Sequence, residues 1–554
     1  MVLPIRLLGD GQVFGTVARW FDHTVLELIR QLRWSYLPPL LVYLAAGVAG
    51  LTNVVGAFFI KDYLGLSAAF LAGLAFWTGI PWALKMPMGH IVDLIWRWKA
   101  ALVWLGAALI AISLLIMYAL IAHTGAMAAL MPVPAWFVLS ALLAPTGYAL
   151  QDVVADAMTV EAVPLTDAAG AAYPEATVKA MHTTMQTLGR FAIISGLVLV
   201  AVLNIVMFAG IAGLEQAEKA AIYARIYLMA LAIPALSVTG VVLAGLVRRL
   251  RARRLRAEGA DAATIAAMLY QPAETTTPNW WILGGSLGFV AFTMAVGLAR
   301  VPAAQEIVFI GSLAIVLFLM RQLIRELPAR ARHALVGTAI IIFVFRAVPL
   351  PGAGWTWFEI DILGFDEQFL SVLSLITAGL TLVGMVVLRP LMARRSLAWL
   401  VALLTIAAGV LSLPNIGLYY GVQDWTAAWS GGVVDARFIA ILDTALESPL
   451  GQIAMIPMLA WIARNAPAHL KATFFAVMAS FTNLALSASA LATKYVNQVL
   501  LVTREVRDRL TGAIETAADY SELGALLLTV AVIVVAAPLL TIAIVQRSRL
   551  RTED

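Results

Sequence analysis

The chain has 554 residues, of which 62% are hydrophobic and only 12% charged, with a formal net charge of +5. A soluble globular protein is about half apolar and about 25% charged, so this composition is that of a polytopic membrane protein. The absence of cysteine excludes disulfides, thiolate nucleophiles and Cys-based metal sites, and the six histidines fall at no paired metal-ligand spacing. The cations gather at segment ends, where they set orientation, and no basic-aromatic patch goes with them. Nucleic acid is therefore not an expected partner.

In chain order, residues 1–35 come first, without an apolar core and cleavage site of signal-peptide type. Trp20, Phe21, Val25, Leu28 and Ile29 recur at helical spacing. They predict an amphipathic helix on the cytoplasmic face, or equally an ordinary cytoplasmic lead-in. Apolar runs long enough to span a bilayer follow at about 36–60, 65–90, 100–122, 134–163, 180–209 and 223–247. The cluster Arg248–Arg256 (RRLRARRLR) then opens a polar stretch, and two more runs lie at about 280–300 and 304–325. A last group lies at about 333–352, 368–389, 396–416, 437–463, 470–495 and 522–546.

The expected fold is thus all-α, that of a polytopic membrane protein. It has two six-helix bundles and an extra central helix pair, about fourteen spans in all. The expected divisions are the N-terminal segment 1–35, a first bundle 36–250, a basic and polar cytoplasmic linker 251–279, the inserted pair 280–328, a second bundle 329–546 and a tail 547–554. With both termini cytoplasmic, Arg97 and Lys99, the Arg248–Arg256 cluster, Arg321, Arg325, Arg389, Arg394, Arg395, Arg464 and Lys471 all fall inside. The outer loop 122–133 has no Lys or Arg, and 353–367 carries only acids. The exception is the outer loop near 496–521, with Arg504, Arg507 and Arg509. Its apolar spacing predicts an amphipathic helix on the outer surface.

The charges at membrane depth carry the functional reading. A charge there costs several kcal/mol unless it faces a bundle interior or a wet cavity. The segment Gln151–Glu161, QDVVADAMTVE, places Asp152 and Asp156 four apart on one helical face. Asp443 and Glu447 repeat that spacing in the tenth of the twelve bundle helices, the place equivalent to the fourth. Two acidic pairs at equivalent places fit a substrate or proton site between repeats, the alternative being structural latches to buried arginine. Lys85, Arg190 and Arg346 are the cations at depth, with Arg190 expected to be the most deeply buried. They suit an anionic or zwitterionic substrate and would equally suit the internal acids. Trp77, Trp82, Phe345, Trp355 and Trp357 are either stackers for a flat heterocycle or interfacial anchors. Gly89, Asp93 and Arg97 form the pattern of the cytoplasmic motif between helices 2 and 3 of the major facilitator superfamily. There Gly allows close helix approach and the carboxylate latches the halves.

Four stretches, in order along the chain, go further. Gly47–Asp93 contains LGLS, a PWALK segment and GHIVD. Gln151–Glu161 is the acidic motif. Phe345–Leu373 reads FRAVPLPGAGWTWFEIDILGFDEQFLSVL, and Lys471–Leu484 reads KATFFAVMASFTNL. Together they resemble the folate–biopterin transporter family of the major facilitator superfamily. Three features depart from that pattern: Met86 before Pro87, a short loop after Asp93, and the central helix pair.

The resemblance implies a secondary transporter of folates, pterins or related metabolites, usually coupled to protons. It places Lys85, Asp93, Asp152, Asp156, Arg346 and Asp443 at functional positions. The expectation is a monomeric, multi-pass bacterial inner-membrane transporter that works by alternating access, and not an enzyme, with no metal or other cofactor. Its partners are a small organic anion, protons and membrane lipids. Lys85, Gln151, Arg190, Arg346 and Asp443 are assigned to substrate, Asp152, Asp156 and Glu447 to protons, and Gly89, Asp93 and Arg97 to the latch. The alternatives are a transporter of another metabolite, such as S-adenosylmethionine, and a non-transporting membrane assembly protein.

Overall fold

The computed structural model describes residues 32–552 apart from 165–172, 266–268, 270–277, 388–394, 449–470, 508–513 and isolated positions at 65, 84, 263, 279, 299–300 and 326–327. The predicted N-terminal amphipathic helix lies outside these residues, save for its last positions. Nearly all of the described chain is helical, because inside a bilayer only a helix or a closed barrel satisfies its own backbone groups. Among the described residues, eight helices are long and apolar enough to cross a membrane, and further apolar helices are shorter.

The first span runs as Leu37–Val48, a 3-10 turn Ala49–Thr52, and Asn53–Tyr63. The second is described as Ala68–Ala83 and Lys85–Leu94, with Pro81 inside the helix. The sixth begins at Gln216, where Glu215 and Glu218 form a reciprocal capping box, and continues through Ala232–Ala257. That helix carries the whole arginine cluster, because arginine is a good helix former, and ends before Gly259, at φ +90°.

In the first half, Lys99–Ala122 packs along Val133–Ala162, and Leu37–Val48 packs on Glu175–Met207 and Ala232–Ala257. The first contact depends on two glycines. A Cβ on Gly106 would lie 2.6 Å from the carbonyl oxygen of Gly147, and one on Gly147 would lie 2.5 Å from that of Gly106. Small residues permit such backbone approach where no hydrophobic effect drives helices together. In the second half, Leu523–Arg547 packs on Ala329–Ala347 and Leu397–Leu411, and Glu367–Val387 packs on Ala436–Glu447. The halves meet along two seams, Glu175–Met207 on Glu367–Val387 and Ala68–Ala83 on Lys471–Val499.

The helices Trp280–Leu298 and Ala304–Ile324 pack on each other beside the second seam. Gln305 donates to the Gly73 carbonyl at 2.9 Å and accepts from Lys494 at 2.8 Å, so this pair touches both halves. Glu306 also accepts from Lys494, at 2.9 Å. Trp77 packs in the same cluster, with Phe289 and Val308.

One expectation is overturned in the outer loop near 496–521. Instead of an amphipathic helix, the chain leaves Lys471–Val499 and forms an antiparallel hairpin, Val506–Arg507 against Ile514–Thr516, with a bridge between Thr503 and Asp519. β-Branched residues favour the extended chain, and Val502 is buried against Phe358 and Leu523.

The glycine contact gives a direct test. Gly147→Val should destabilise the purified protein by about 1–3 kcal/mol through overpacking, seen as a lower thermal midpoint. An unchanged midpoint would mean that the two helices are not held this close.

Candidate functional site

In the first half the site starts on the second span. Lys85 lies on Lys85–Leu94, and its Nζ lies 2.5 Å from Asp152 Oδ2 and 2.8 Å from Asp156 Oδ2. The two acids are one turn apart on Val133–Ala162, so a single ammonium reaches both. Tyr43, from the first span, donates its hydroxyl to Asp156 Oδ1 at 2.6 Å. Three spans therefore meet in one group of side chains, and Lys85 is already engaged by carboxylates.

Arg190 corrects the expectation that it is the most deeply buried cation. Its side chain is exposed, and its charge acts on Asp152 and Tyr43 from a distance without an ion pair among the described residues. Gln151 is also placed differently from its assigned role. It is only 3% exposed, donates to the Val103 carbonyl at 3.3 Å and accepts from Ser237 at 2.9 Å. Both ends of its amide are used inside the first bundle, where it ties three spans together. Glu161 closes the same helix with Lys99 at 2.8 Å and Arg248 at 3.9 Å.

The second half does not mirror this arrangement. Asp443 is 6% exposed and accepts from Asn415 Nδ2 at 3.3 Å, while its Oδ1 has no hydrogen-bond partner among the described residues. Glu447, one turn on, is exposed. Arg346 is half-buried on Ala329–Ala347 and forms no ion pair among the described residues. Glu359 sits on Ala353–Asp361, a short helix of the outer loop beyond the predicted spans. Burial pushes its carboxyl up to about 7, against the Trp355 hydrogen bond, and the charge of Asp443 adds to the upward shift.

Of the expected latch, the side chains of Asp93 and Arg97 lie outside the described residues. A Cβ on Gly89 would meet nothing within 4 Å among the described residues. A further connection between the halves lies at the loop near 496–521 and was not among the expected sites. Arg504, 4% exposed, reaches from the hairpin loop into the segment after the first span. It donates to the carbonyls of Lys61 (2.6 Å), Leu66 (2.7 Å), Ile60 (3.2 Å) and Leu64, and lies over the Trp357 ring at 4.5 Å. Beside it, Lys61 pairs with Asp361 at 2.5 Å, and Asp361 accepts from Tyr520 at 2.6 Å. Tyr223 donates to the buried Glu367 across the other seam. The signal for Arg504 was in the sequence: its loop was the one that broke the cation rule. Trp357, a stacking candidate, is occupied by this contact.

Comparison with known proteins agrees with this architecture. Residues 284–553 match the model of the BT1 family. A curated relative from Synechocystis sp., named Folate-biopterin transporter, is 24% identical over 493 residues, covering 88% of this chain and 79% of the relative. The family match thus covers the second half of this chain, and the relative is similar to it over most of its length. Among solved structures, a POT family transporter in complex with 5-aminolevulinic acid is similar with a TM-score of 0.59 at 12% identity, covering 93% of this chain and 96% of that one. The nucleoside transporter NupG is similar with a TM-score of 0.51 at 12% identity, covering 92% and 99%. These two likenesses establish the fold, which is of major-facilitator type. The resemblance read from the sequence motifs is to the family that the comparisons return.

Two outcomes follow from this geometry. Arg504→Ala removes four donated hydrogen bonds, of which the Ile60 and Leu64 carbonyls keep a backbone N–H, and should destabilise the protein by about 2 kcal/mol or more, at 1–3 kcal/mol for each group left unsatisfied. Arg504→Lys should recover only part of the loss, since an ammonium cannot span the guanidinium fork. Equal thermal midpoints for wild type and both variants would refute the contact. Glu359, with its ordinary value of 4.5 raised to about 7, binds its proton more tightly in the folded than in the unfolded chain. Its contribution is therefore complete at low pH and declines as pH rises through that window. Glu359→Gln should flatten the fall in thermal stability between those pH values, and an unchanged slope would exclude a role for this carboxyl.

Proposed function

We propose that this transporter moves a folate- or pterin-like organic anion by proton-coupled alternating access. The observation that carries the reading is Lys85 held between Asp152 and Asp156 with Tyr43 on one carboxylate, beside an Arg190 that has no ion-pair partner among the described residues. Arg190 and Arg346 are the cations left to grip a carboxylate or an electron-rich ring edge. Lys85 becomes available only when one of its acids is protonated or turns away. Entry of an anionic substrate and uptake of a proton would then favour each other.

In this proposal the bundles 36–250 and 329–546 rock about the site, with the pair 280–328 alongside. The Arg504 contacts close the outer side, and Gly89, Asp93 and Arg97 belong to the inner one. Asp443 and Glu447 provide further proton positions. The protein works as a monomer in a bacterial inner membrane, with both termini in the cytoplasm.

A second reading rests on a different observation. In the second half Asp443, Glu447 and Glu359 outnumber Arg346, and Asp443 keeps one oxygen without a partner. Ionised, that group suits a substrate carrying positive charge, such as S-adenosylmethionine.

Flux into proteoliposomes separates the two. On the first reading, labelled folate or biopterin is taken up faster under an imposed proton gradient, and a protonophore abolishes the effect. Arg190→Ala should cut uptake about tenfold or more, the equivalent of one charge-assisted hydrogen bond. Asp152→Asn should uncouple flux from the gradient while thermal stability confirms a folded sample. Gradient-independent uptake, or transport of S-adenosylmethionine with no pterin flux, would overturn the first reading.

A further inference from the structure

The sixth span is longer than a membrane requires. Gln216–Ala257 is a 42-residue helical stretch. At 1.5 Å per residue it extends about 63 Å, against about 30 Å of hydrocarbon and about 40–45 Å with headgroups. Its arginine-bearing end therefore passes through the headgroup layer and beyond it.

The arginines there are not equivalent. Val242, Leu246 and Leu250 are large exposed apolar residues four apart, so they form one outward column on the helix. Arg249 and Arg253 stand three residues on from Leu246 and Leu250, so they flank that same column, Arg256 stands three on from Arg253 on that flank, and the exposed Arg254, four on from Leu250, continues the column itself. Arg249, Arg253 and Arg256 are exposed too. Arg248 points the other way, to Glu161 at 3.9 Å, and Ala252 is buried on that inner side. Among the described residues, no ion pair engages Arg249, Arg253 or Arg256. Orientation by the cation rule would need positive charge on this side of the membrane. It would not need the arginines to continue the column that faces lipid.

We infer that Arg249, Arg253 and Arg256 form a binding site for the phosphate headgroup of an anionic phospholipid, with the acyl chains lying along Leu250, Leu246 and Val242. A guanidinium matches a phosphate with two parallel hydrogen bonds, and it stays charged at any working pH. The site is independent of the transported substrate.

The test uses the full-length protein in nanodiscs of phosphatidylcholine with or without phosphatidylglycerol. Retained lipid is counted by native mass spectrometry and thermal stability is followed by tryptophan fluorescence. Wild type should retain phosphatidylglycerol in preference to phosphatidylcholine and be stabilised by it. A triple variant, R249Q, R253Q and R256Q, should lose that preference by about tenfold or more, since each basic contact near an anionic surface is worth about fivefold. A charge-matched variant of the tail, R547Q, R549Q and R551Q, should keep it. Equal losses in both variants would show a non-specific charge effect and overturn the site. Stabilisation reproduced by inorganic phosphate alone would also overturn it, because the ligand would then be a soluble anion.

Discussion

Everything in this chain is arranged around the cost of placing a charge where water is scarce. Lys85, Asp152 and Asp156 would each be costly alone at membrane depth. Together they share one ammonium and, through Tyr43, a hydroxyl donor, at 2.5, 2.8 and 2.6 Å. Lys85, on the second span, reaches both acids of the fourth helix, and the Gly106–Gly147 contact holds that helix against the third. Gln151, one residue before Asp152, is pinned by Val103 and Ser237 and so sets the direction of the acidic face. The packing of the first bundle and the geometry of its charges are one problem with one solution.

The second bundle solves the same problem differently. Its acidic pair has the same spacing, but Asp443 leans on the neutral amide of Asn415 rather than on a lysine. The charge of the first half is internally compensated, whereas the second half keeps excess acid beside a single half-buried arginine. On the proposed reading this asymmetry divides the work. The compensated half responds to protonation by freeing a cation, and the uncompensated half sets which charge the substrate must carry.

The helices were legible because apolar run length is a property of local sequence and the bilayer enforces it. The predicted runs fall on helices wherever the residues are described, including 280–300 and 304–325, which the structure draws as Trp280–Leu298 and Ala304–Ile324. The shared face of Asp152 and Asp156 was legible for the same reason, since helical spacing fixes it. Partners across the sequence were not. Spacing cannot say that Lys85 would take both acids, that Gln151 would be consumed between helices, or that Arg190 would be exposed. Each depends on how the helices rotate and tilt against one another, which the apolar pattern leaves open when a helix is apolar on nearly every side. The hairpin was misread because its residues fit a helical spacing as well as an alternating one, and Val502 and Arg504 settle the choice only through tertiary contacts.

The outer contact of Arg504 shows why an exception to a statistical rule is worth following. A cation on the outer side of a membrane protein runs against the usual distribution, so something must use it. Here the guanidinium is enclosed by backbone carbonyls of the first half and the face of Trp357, with Lys61, Asp361 and Tyr520 alongside. These groups come from opposite halves of the chain, so the halves cannot part on this side without exposing several polar groups together. Such a contact opens as a unit, because a partly broken set leaves unsatisfied carbonyls next to a buried cation. On the proposed alternating-access reading the protein passes between two discrete states, and a collective polar contact between the halves is a physical means of keeping intermediate openings rare.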